Sequence, residues 1–505
     1  MQDYFDQCSS VKEDQKEQAG SFQGIDTASI SEHYLDLGPD FESYILTIMG
    51  GESFLDPFDA FEFPSPSNWD LNFQFENGDG WNFRSNPIQL QARLAEISSE
   101  LLSSSRNVPL TEKPRSLSDS VHSIFVVDKV PSFIQSYFDN WHRHCPMLHQ
   151  PLFEPSSTPS PLLSAVILIG AIYLSQESAA AARDCLSTAE DYIFEHEAFQ
   201  RLVYPQSQQD TVEDIAPLQA AFLMAILQHW DNHEGSRRRI RLQRYSDLVS
   251  AARHLGLPSL RHSVDHEIGL PSSEQDWKLF VKTEEGIRLM IWIFLVDSSH
   301  AIFHRTPPRL TLTEMTGSLP CEEGLFNLRY RDLECKLKMT QCFSAVPSLA
   351  KGMSLLMADE WPDSCCFETE YLSCLDLFVL ISGWHFFNPF LPNPVLRVGE
   401  ADIYKGLHEI IFSTYATCSL SLARDAIFRA LERWKALWDL HMERVPRSEM
   451  DRLGFFKNAG EYWWLAKLFL EKSMPEIKGQ NKEASDRDSM EEVNSFVKFL
   501  DLSIQ

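Results

Sequence analysis

The chain has 505 residues, of which 44% are hydrophobic, and a formal net charge of -28 at pH 7. The hydrophobic content indicates a folded protein, and the length allows two to four domains or one large core with appended segments. So acidic a chain is not a bare nucleic-acid binder, because neutralising phosphates requires lysine and arginine gathered on one surface. The acidic charge is concentrated in residues 1–100, which contain 19 acidic and 4 basic side chains.

The ten cysteines follow no regular short spacing, and the acidic N-terminus does not resemble a secretory leader. We therefore expect free thiols in a reducing compartment. The longest apolar stretch, residues 161–174, covers about 14 residues, whereas roughly 20 are needed to cross a bilayer. An intracellular, soluble protein without membrane contact is expected.

Residues 1–120 sustain no helical or strand period, which predicts a mostly disordered arm. Within this arm, residues 38–83 hold nine acidic residues, no lysine or arginine, and eleven aromatics. Such a composition is typical of disordered activation segments, in which like charges keep the aromatics available to a groove on a partner. The aromatics predicted to act in this way are Phe54, Phe58, Phe61, Phe63, Trp69, Phe73 and Trp81. Irregular packing of the arm on the body is the alternative.

A short helix is predicted at 88–102 and a serine-rich linker at 103–120. Ser160 followed by Pro161 predicts a helix start with serine as the N-cap. The uncharged stretch that follows, 162–173, predicts a helix buried on all sides.

A further helix is predicted at 242–255, because apolar residues recur there at helical spacing and Gly256 follows as a C-terminal stop. The next is predicted at 284–303, with Phe294 on its apolar face, and it stops before a proline pair.

Helical patterns continue to residue 472, and no strand alternation or fixed repeat is sustained. These patterns cover 325–357, 371–387, 403–438 and 452–472. Residues 473–505 are predicted to be a polar loop with a short C-terminal helix. The predicted fold class is all-α, a large multi-helix domain over 121–472 behind the acidic arm.

Three segments, in order and spacing, resemble the fungal-specific transcription factor domain. They are FIQSYFDNWHRHCPMLH at 133–149, AARHLGL at 251–257, and EEGIRLMIWIFLVDS at 284–298, followed by PPRL and LP. The later FFKNAGEYWWLA at 455–466 is similar to members that carry two-cysteine two-histidine fingers. The motif residues expected to form the structural core are Pro146, His149, Phe153, Arg253, Leu255, Gly256, Arg288, Phe294, Asp297, Pro307, Pro308 and Pro320.

The resemblance implies a regulator of RNA polymerase II transcription. Its implied location is the nucleus, with the cytoplasm as a possible second location. Its helical body would control an attached DNA reader, with the transcription machinery or co-regulators as partners and a small molecule as a possible effector. The chain departs from the family pattern where Ile287 precedes Arg288 in place of a basic pair, and where Ser298 follows Asp297 in place of a basic residue.

Zinc-dependent DNA readers of such factors need closely spaced cysteine pairs, but Cys8 stands alone before residue 120. No cofactor is therefore predicted in these residues, and zinc is expected only if a finger lies upstream. DNA would be reached through that missing module or through a partner.

Several clusters invite a site interpretation. His142, His144, Cys145 and His149 could hold a metal, although packing within the opening motif is the favoured interpretation. The pairs His229/His233 and His262/His266 stand at helical ligand spacing without the glutamate of a metalloprotease motif.

The arginines between residues 237 and 244 are interpreted as a solvated helix face, with a nuclear-import signal or nucleic-acid contact as alternatives. Arg288 and Asp297 are interpreted as part of a buried structural network, with ligand recognition as the alternative.

Enzyme motifs for serine hydrolases, P-loop proteins and zinc peptidases are absent, so no enzyme is predicted. The favoured hypothesis is a transcriptional regulator. The alternative is a helical ligand- or protein-interaction protein derived from such a factor, acting through partners without binding DNA.

Overall fold

The computed structural model describes ten segments of the chain. They are residues 87–104, 117–205, 214–230, 234–262, 273–304, 308–330, 348–360, 372–384, 420–446 and 451–472. The predicted activation segment 38–83 and the predicted C-terminal region 473–505 lie outside them. Within these segments all regular structure is helical and no strand occurs, which confirms the predicted all-α class.

Helix α1 (Pro87–Ser104) confirms the helix predicted at 88–102. It is followed by α2 (Leu117–Ile124), which begins inside the predicted linker. Leu117 is buried and starts the amphipathic face of α2, so the predicted linker extends too far. Both helices pack on α5 (Gln176–Phe194).

Helix α1 is also fixed by polar contacts. Arg93 donates hydrogen bonds to the carbonyl oxygens of Ser156, at 2.8 Å, and Thr158. The hydroxyl of Tyr192 on α5 donates to Glu100 at 2.7 Å. Residues 87–104, although part of the predicted arm, are therefore fastened to the helical body.

Helix α4 (Ser160–Leu174) lies at the centre of the N-terminal helices and is buried from Pro161 to Tyr173, as predicted. Its N-cap is Pro159, so the prediction of Ser160 as N-cap is wrong by one residue. The Ser160 hydroxyl instead accepts a hydrogen bond from Arg93 at 3.3 Å.

A close crossing fixes the position of α3 (Val130–Ser136) on α4. A Cβ on Gly170 would lie 1.8 Å from the carbonyl oxygen of Phe133, so only glycine fits there. The chain continues from α3 through a π-helical turn (Tyr137–Trp141) and a 3-10 turn (His142–His144). Together they place the opening motif beside α4.

The remaining N-terminal helices form a second layer. They are α6 (Glu197–Val203), α7 (Ala216–Trp230), α8 (Glu234–Arg239), a π-helical turn (Ile240–Arg244) and α9 (Tyr245–His254). In this layer α7 packs on α4 and α5, and α9 packs on α6 and α7. Helix α9 stops where predicted, because Gly256 takes a left-handed φ of 68°.

Helix α10 (Glu274–His304) is the longest described helix, and Phe294 in it is fully buried. It begins ten residues before the predicted start at 284. The first turns, EQDWKLFVKT, are mostly polar, and only Trp277 and Val281 are buried there, in a satellite cluster against which Phe280 also packs. So short an apolar stripe gives little periodic signal.

The C-terminal helices form a second group. They are α11 (Glu323–Phe326), α12 (Leu349–Met357), α13 (Cys374–Gly383), α14 (Leu420–Arg444) and α15 (Ala459–Lys472). Each overlaps a predicted helical pattern, although 331–347, 371, 385–387 and 403–419 of those patterns lie outside the described residues.

Helices α12 to α15 pack on one another, and α13 packs on α10. Two buried indoles tie the group together. Trp434 donates to the carbonyl of Leu377 at 2.8 Å, and Trp463 donates to that of Leu431 at 2.9 Å.

The burial of α10 gives a stability test. We expect Phe294→Asp to lower the free energy of unfolding by more than about 4 kcal/mol, because it places a carboxylate in an apolar core. Leu279→Asp is the matched control on the same helix, since Leu279 is 65% exposed. Urea unfolding of both variants checks this expectation, and equal midpoints would show that Phe294 is not in the core.

Candidate functional site

The Arg288 guanidinium is fully buried on α10 and is satisfied by two carboxylates and two carbonyls. It donates to Glu284 at 2.7 Å and to Glu323 at 2.5 Å. It also donates to the carbonyl oxygens of Pro146, at 3.0 Å, and Cys321, at 2.6 Å. Its planar face lies 4.0 Å from the ring centroid of Phe326. The predicted structural network around Arg288 is therefore present, and it joins the opening motif to the segment after Pro320.

Glu284 holds the other side of this network. It accepts hydrogen bonds from Arg288, from the backbone N–H of Cys321 at 2.8 Å, and from the His262 imidazole at 2.7 Å. Burial by itself raises the pKa of Glu284, but the positive charge of Arg288 and the bond from His262 outweigh it and hold the pKa at about 2. The Arg288–Glu284 pair is consequently ionised at neutral pH.

His149 of the opening motif contributes hydrogen-bond donors to the same region. Its backbone N–H donates to Glu285 at 2.7 Å, and its Nε2–H donates to the carbonyl of Leu328 at 3.0 Å. The ring meets Trp277 and Phe326 edge-on. Burial lowers the pKa of His149 to about 4, so the ring is neutral at pH 7.

A second polar network surrounds Asp297, nine residues after Arg288 on α10, which corresponds to about 13.5 Å along the helix axis. One carboxylate oxygen of Asp297 accepts from the backbone N–H groups of Arg309 and Leu310, both at 2.8 Å. Arg253 of the second motif donates to both oxygens of Glu314, at 2.8 and 2.9 Å, and to the Arg309 carbonyl at 2.6 Å. Asp297 and Arg253 thus both bind the backbone of the segment Arg309–Leu310.

The other motif residues make packing and capping contacts. Phe153 meets Phe138 edge-on at 5.4 Å, Leu255 caps α9, and Pro320 is buried before Cys321. Pro308 is half-buried, and Pro307 lies outside the described residues.

The histidine cluster of the opening motif does not converge. His142 packs on Phe138 at 5.1 Å, His144 lies beside Arg143, and His149 points to the carbonyl of Leu328. In the described residues no group of three or more histidine, cysteine or acidic side chains is placed to hold a metal ion. His233 and His266, the second members of the two pairs, lie outside those residues.

The arginine-rich segment contradicts the solvated-face interpretation at two positions. Arg239 donates to both oxygens of Glu190, at 2.7 and 2.6 Å, and Glu190 is fully buried. Arg244 contacts Glu190, Asp191 and Glu195 at 3.3, 3.2 and 2.9 Å. These arginines fasten α8 and the following turn to α5.

A small, mostly apolar space lies between α7, α9 and α10. It is lined by Phe222, His229, Tyr245, Leu248 and His300, and it has room for about one water molecule.

No described helix combines the length and the apolar character needed to span a bilayer.

Arg288 and Asp297 stand out in the sequence, but the other side chains that complete the two networks around them do not. Glu284 stands four residues before Arg288, a spacing that predicts an ion pair on a helix and was available in the sequence. Glu323, Glu314 and His262 are brought in by tertiary folding, and no local pattern indicates them.

Comparison with known families places these networks in a recognised domain. The profile described as "Fungal specific transcription factor domain" matches residues 134–436, which include the motifs around both networks. No solved structure matches the chain.

Three curated relatives are similar over parts of the chain. Transcription factor verF of Penicillium polonicum is 27% identical over 396 residues, covering 74% of this chain and 51% of that protein. The nicotinate catabolism cluster-specific transcription factor of Emericella nidulans is 24% identical, covering 44% of this chain and 24% of the relative. Zinc finger protein zas1 of Schizosaccharomyces pombe is 22% identical, with coverages of 40% and 22%. The chain thus spans about half, or less, of the length of these relatives.

The Arg288 network predicts a large stability loss on truncation. Arg288→Met leaves Glu284 buried without its cation, so we expect the free energy of unfolding to fall by about 3–5 kcal/mol. Arg201→Met breaks a salt bridge with Glu197 whose partners are 60% and 81% exposed, and we expect a loss of about 0–1 kcal/mol. Chemical denaturation distinguishes the two, and similar losses would contradict a stabilising network.

The raised pKa of Asp297 predicts that the free energy of unfolding depends on pH. Burial raises its pKa to about 7 although the backbone N–H groups of Leu310 and Arg309 oppose the shift. The folded state therefore binds a proton more tightly than the unfolded chain, and ionisation of Asp297 lowers stability as pH rises from about 4 to about 7.

We expect Asp297→Asn, which keeps an acceptor oxygen, to gain stability relative to the wild type across that interval. The difference in unfolding free energy between the two proteins changes by at most about 1.4 kcal/mol per pH unit. Unfolding curves measured at several pH values check this, and parallel pH profiles of the two proteins would contradict it.

Proposed function

Because the chain belongs to the fungal-specific transcription factor domain family, we propose that it regulates transcription by RNA polymerase II from the nucleus. The observation that carries this proposal is the family match over residues 134–436, within which the motif residues form the two buried networks. Three relatives from different fungi carry names of transcription factors or of a zinc finger protein.

The helical body serves in this proposal as a regulatory scaffold. Charged groups of its motifs bind within the body, since the Arg288 guanidinium donates to Glu284, to Glu323 and to two carbonyl oxygens. Such groups set the relative positions of helices, which is how a body transmits a state to an attached module.

Residues 38–83 are proposed to be the activating part. Their nine acidic residues and eleven aromatics suit a solvated segment that presents aromatic side chains to an apolar groove of a co-regulator. The transcription machinery or a co-regulator is accordingly the proposed partner class.

DNA contact is proposed to come from a zinc-dependent module outside the 505 residues or from a partner protein. The comparison with zas1, whose name specifies a zinc finger, supports the first route, and zinc would belong to that module. Sequencing the 5′ end of the full transcript tests it, because paired cysteine codons in frame would identify the module.

A reporter assay tests the activating segment. Residues 38–83 fused to a foreign DNA-binding domain are expected to raise reporter output by about tenfold, since aromatic contacts with a partner groove supply the affinity. The matched control replaces seven of the eleven aromatics by alanine and keeps every acidic residue. The replaced aromatics are Phe54, Phe58, Phe61, Phe63, Trp69, Phe73 and Trp81.

Loss of output in the alanine variant would support recruitment through aromatics. Equal output from both fusions would show that acidic charge alone acts, and no output from either would remove the activation proposal. A fusion of the whole chain tests the body, which as a regulator should change the output of the segment.

A further inference from the structure

The C-terminal segment 451–472 lies beyond the end of the family match at residue 436, yet it packs on the opening motif. We call this segment the strap. It consists of a 3-10 segment (Asp451–Asn458), broken at Gly454, and α15. The 3-10 part contacts the turn His142–His144, which is far away in sequence.

Gly454 is the point of contact. It adopts a φ of +58°, and a Cβ built on it would lie 2.5 Å from the carbonyl oxygen of Arg143 and 3.1 Å from the Cα of His144. Both atoms belong to the backbone, so they cannot move aside as a flexible side chain would. The strap can therefore approach the turn this closely only with glycine at this position.

Aromatic side chains anchor the strap on both helix groups. The buried ring of Phe456 lies 5.8 Å from the ring of Trp292 on α10 and 6.2 Å from that of Phe378 on α13. Tyr462 meets Phe378 edge-on at 5.1 Å. The indole of Trp463 reaches α14, with the ammonium groups of Lys435 and Lys467 at 5.4 and 4.9 Å from its ring.

The turn beneath the strap leads directly to the Arg288 network. Pro146, two residues after His144, supplies the carbonyl oxygen that Arg288 binds at 3.0 Å. His144 is 9% exposed, and burial together with Arg143 and Lys457 of the strap lowers its pKa to about 3. A displacement of the strap would hydrate this turn and release the constraint on Pro146.

We propose that the strap is a conformational latch, which couples the C-terminal helices to the Arg288 network by pressing on the turn at 142–146. When the strap lifts, the turn and the network loosen together, while α4 and α5 keep their own packing. This device concerns the internal coupling of the fold and is independent of the proposed function in transcription.

The test compares two glycines of positive φ in the full chain. Gly454→Ala meets the Arg143 carbonyl and also strains the backbone at φ +58° and ψ -133°, whereas Gly256→Ala places alanine in the left-handed region at φ +68° and ψ +16° with no atom within 4 Å. Hydrogen exchange followed by mass spectrometry reads out the peptides that cover 142–149 and 284–290. In Gly454→Ala we expect exchange there to rise by about tenfold or more, with α4 and α5 unchanged, and in Gly256→Ala we expect both peptides to stay protected.

Phe456→Leu weakens the packing of the strap without adding a backbone clash. It serves as the second variant in case Gly454→Ala fails to fold. We expect the same two peptides to lose protection, by a smaller factor, while Trp464→Ala at a 38% exposed strap position leaves them unchanged. Exchange confined to 451–472 in Phe456→Leu would overturn the latch. Equal effects of the two glycine variants on 142–149 would overturn it as well.

Discussion

The fold depends on a guanidinium that has no access to water. An isolated buried charge is expensive, so Arg288 is tolerated only because Glu284, Glu323 and two carbonyl oxygens surround it. Those partners come from α10, α11, the opening motif and the segment after Pro320. Because Cys321 and Glu323 lie in one segment, three pieces of chain must arrive together before the charge is compensated, which makes their arrangement specific as well as stable.

The sequence predicts the structure best where buried residues follow the periodicity of a helix. The all-apolar α4, the Gly256 stop and the buried face of α10 with Phe294 are local consequences of side-chain pattern and were predicted correctly. The start of α10 was missed because its first ten residues bury only Trp277 and Val281. The Ser160 cap was misplaced because its hydroxyl is engaged by Arg93, a residue from another helix.

The candidate site residues show the same contrast between local pattern and contacts from distant segments. Arg288 and Asp297 stand out in an apolar helix, so the sequence alone marks them as paired or hydrogen-bonded. Which groups pair with them is decided by contacts between distant segments, and no spacing reveals those. The arginines of 237–244 show the opposite error, since Arg239 and Arg244 look solvated until the acidic face of α5 is placed against them.

The π-helical turn at Tyr137–Trp141 has a consequence for how the opening motif tolerates insertions and deletions. Such a turn holds one residue more than an α-helical turn, and each residue rotates the following chain by about 100° around the helix axis. Deleting a single residue there would restore ordinary helix and swing the Pro146 carbonyl away from Arg288. The length of this short stretch is thus under tighter constraint than its composition, and relatives should vary there by substitution more readily than by gaps.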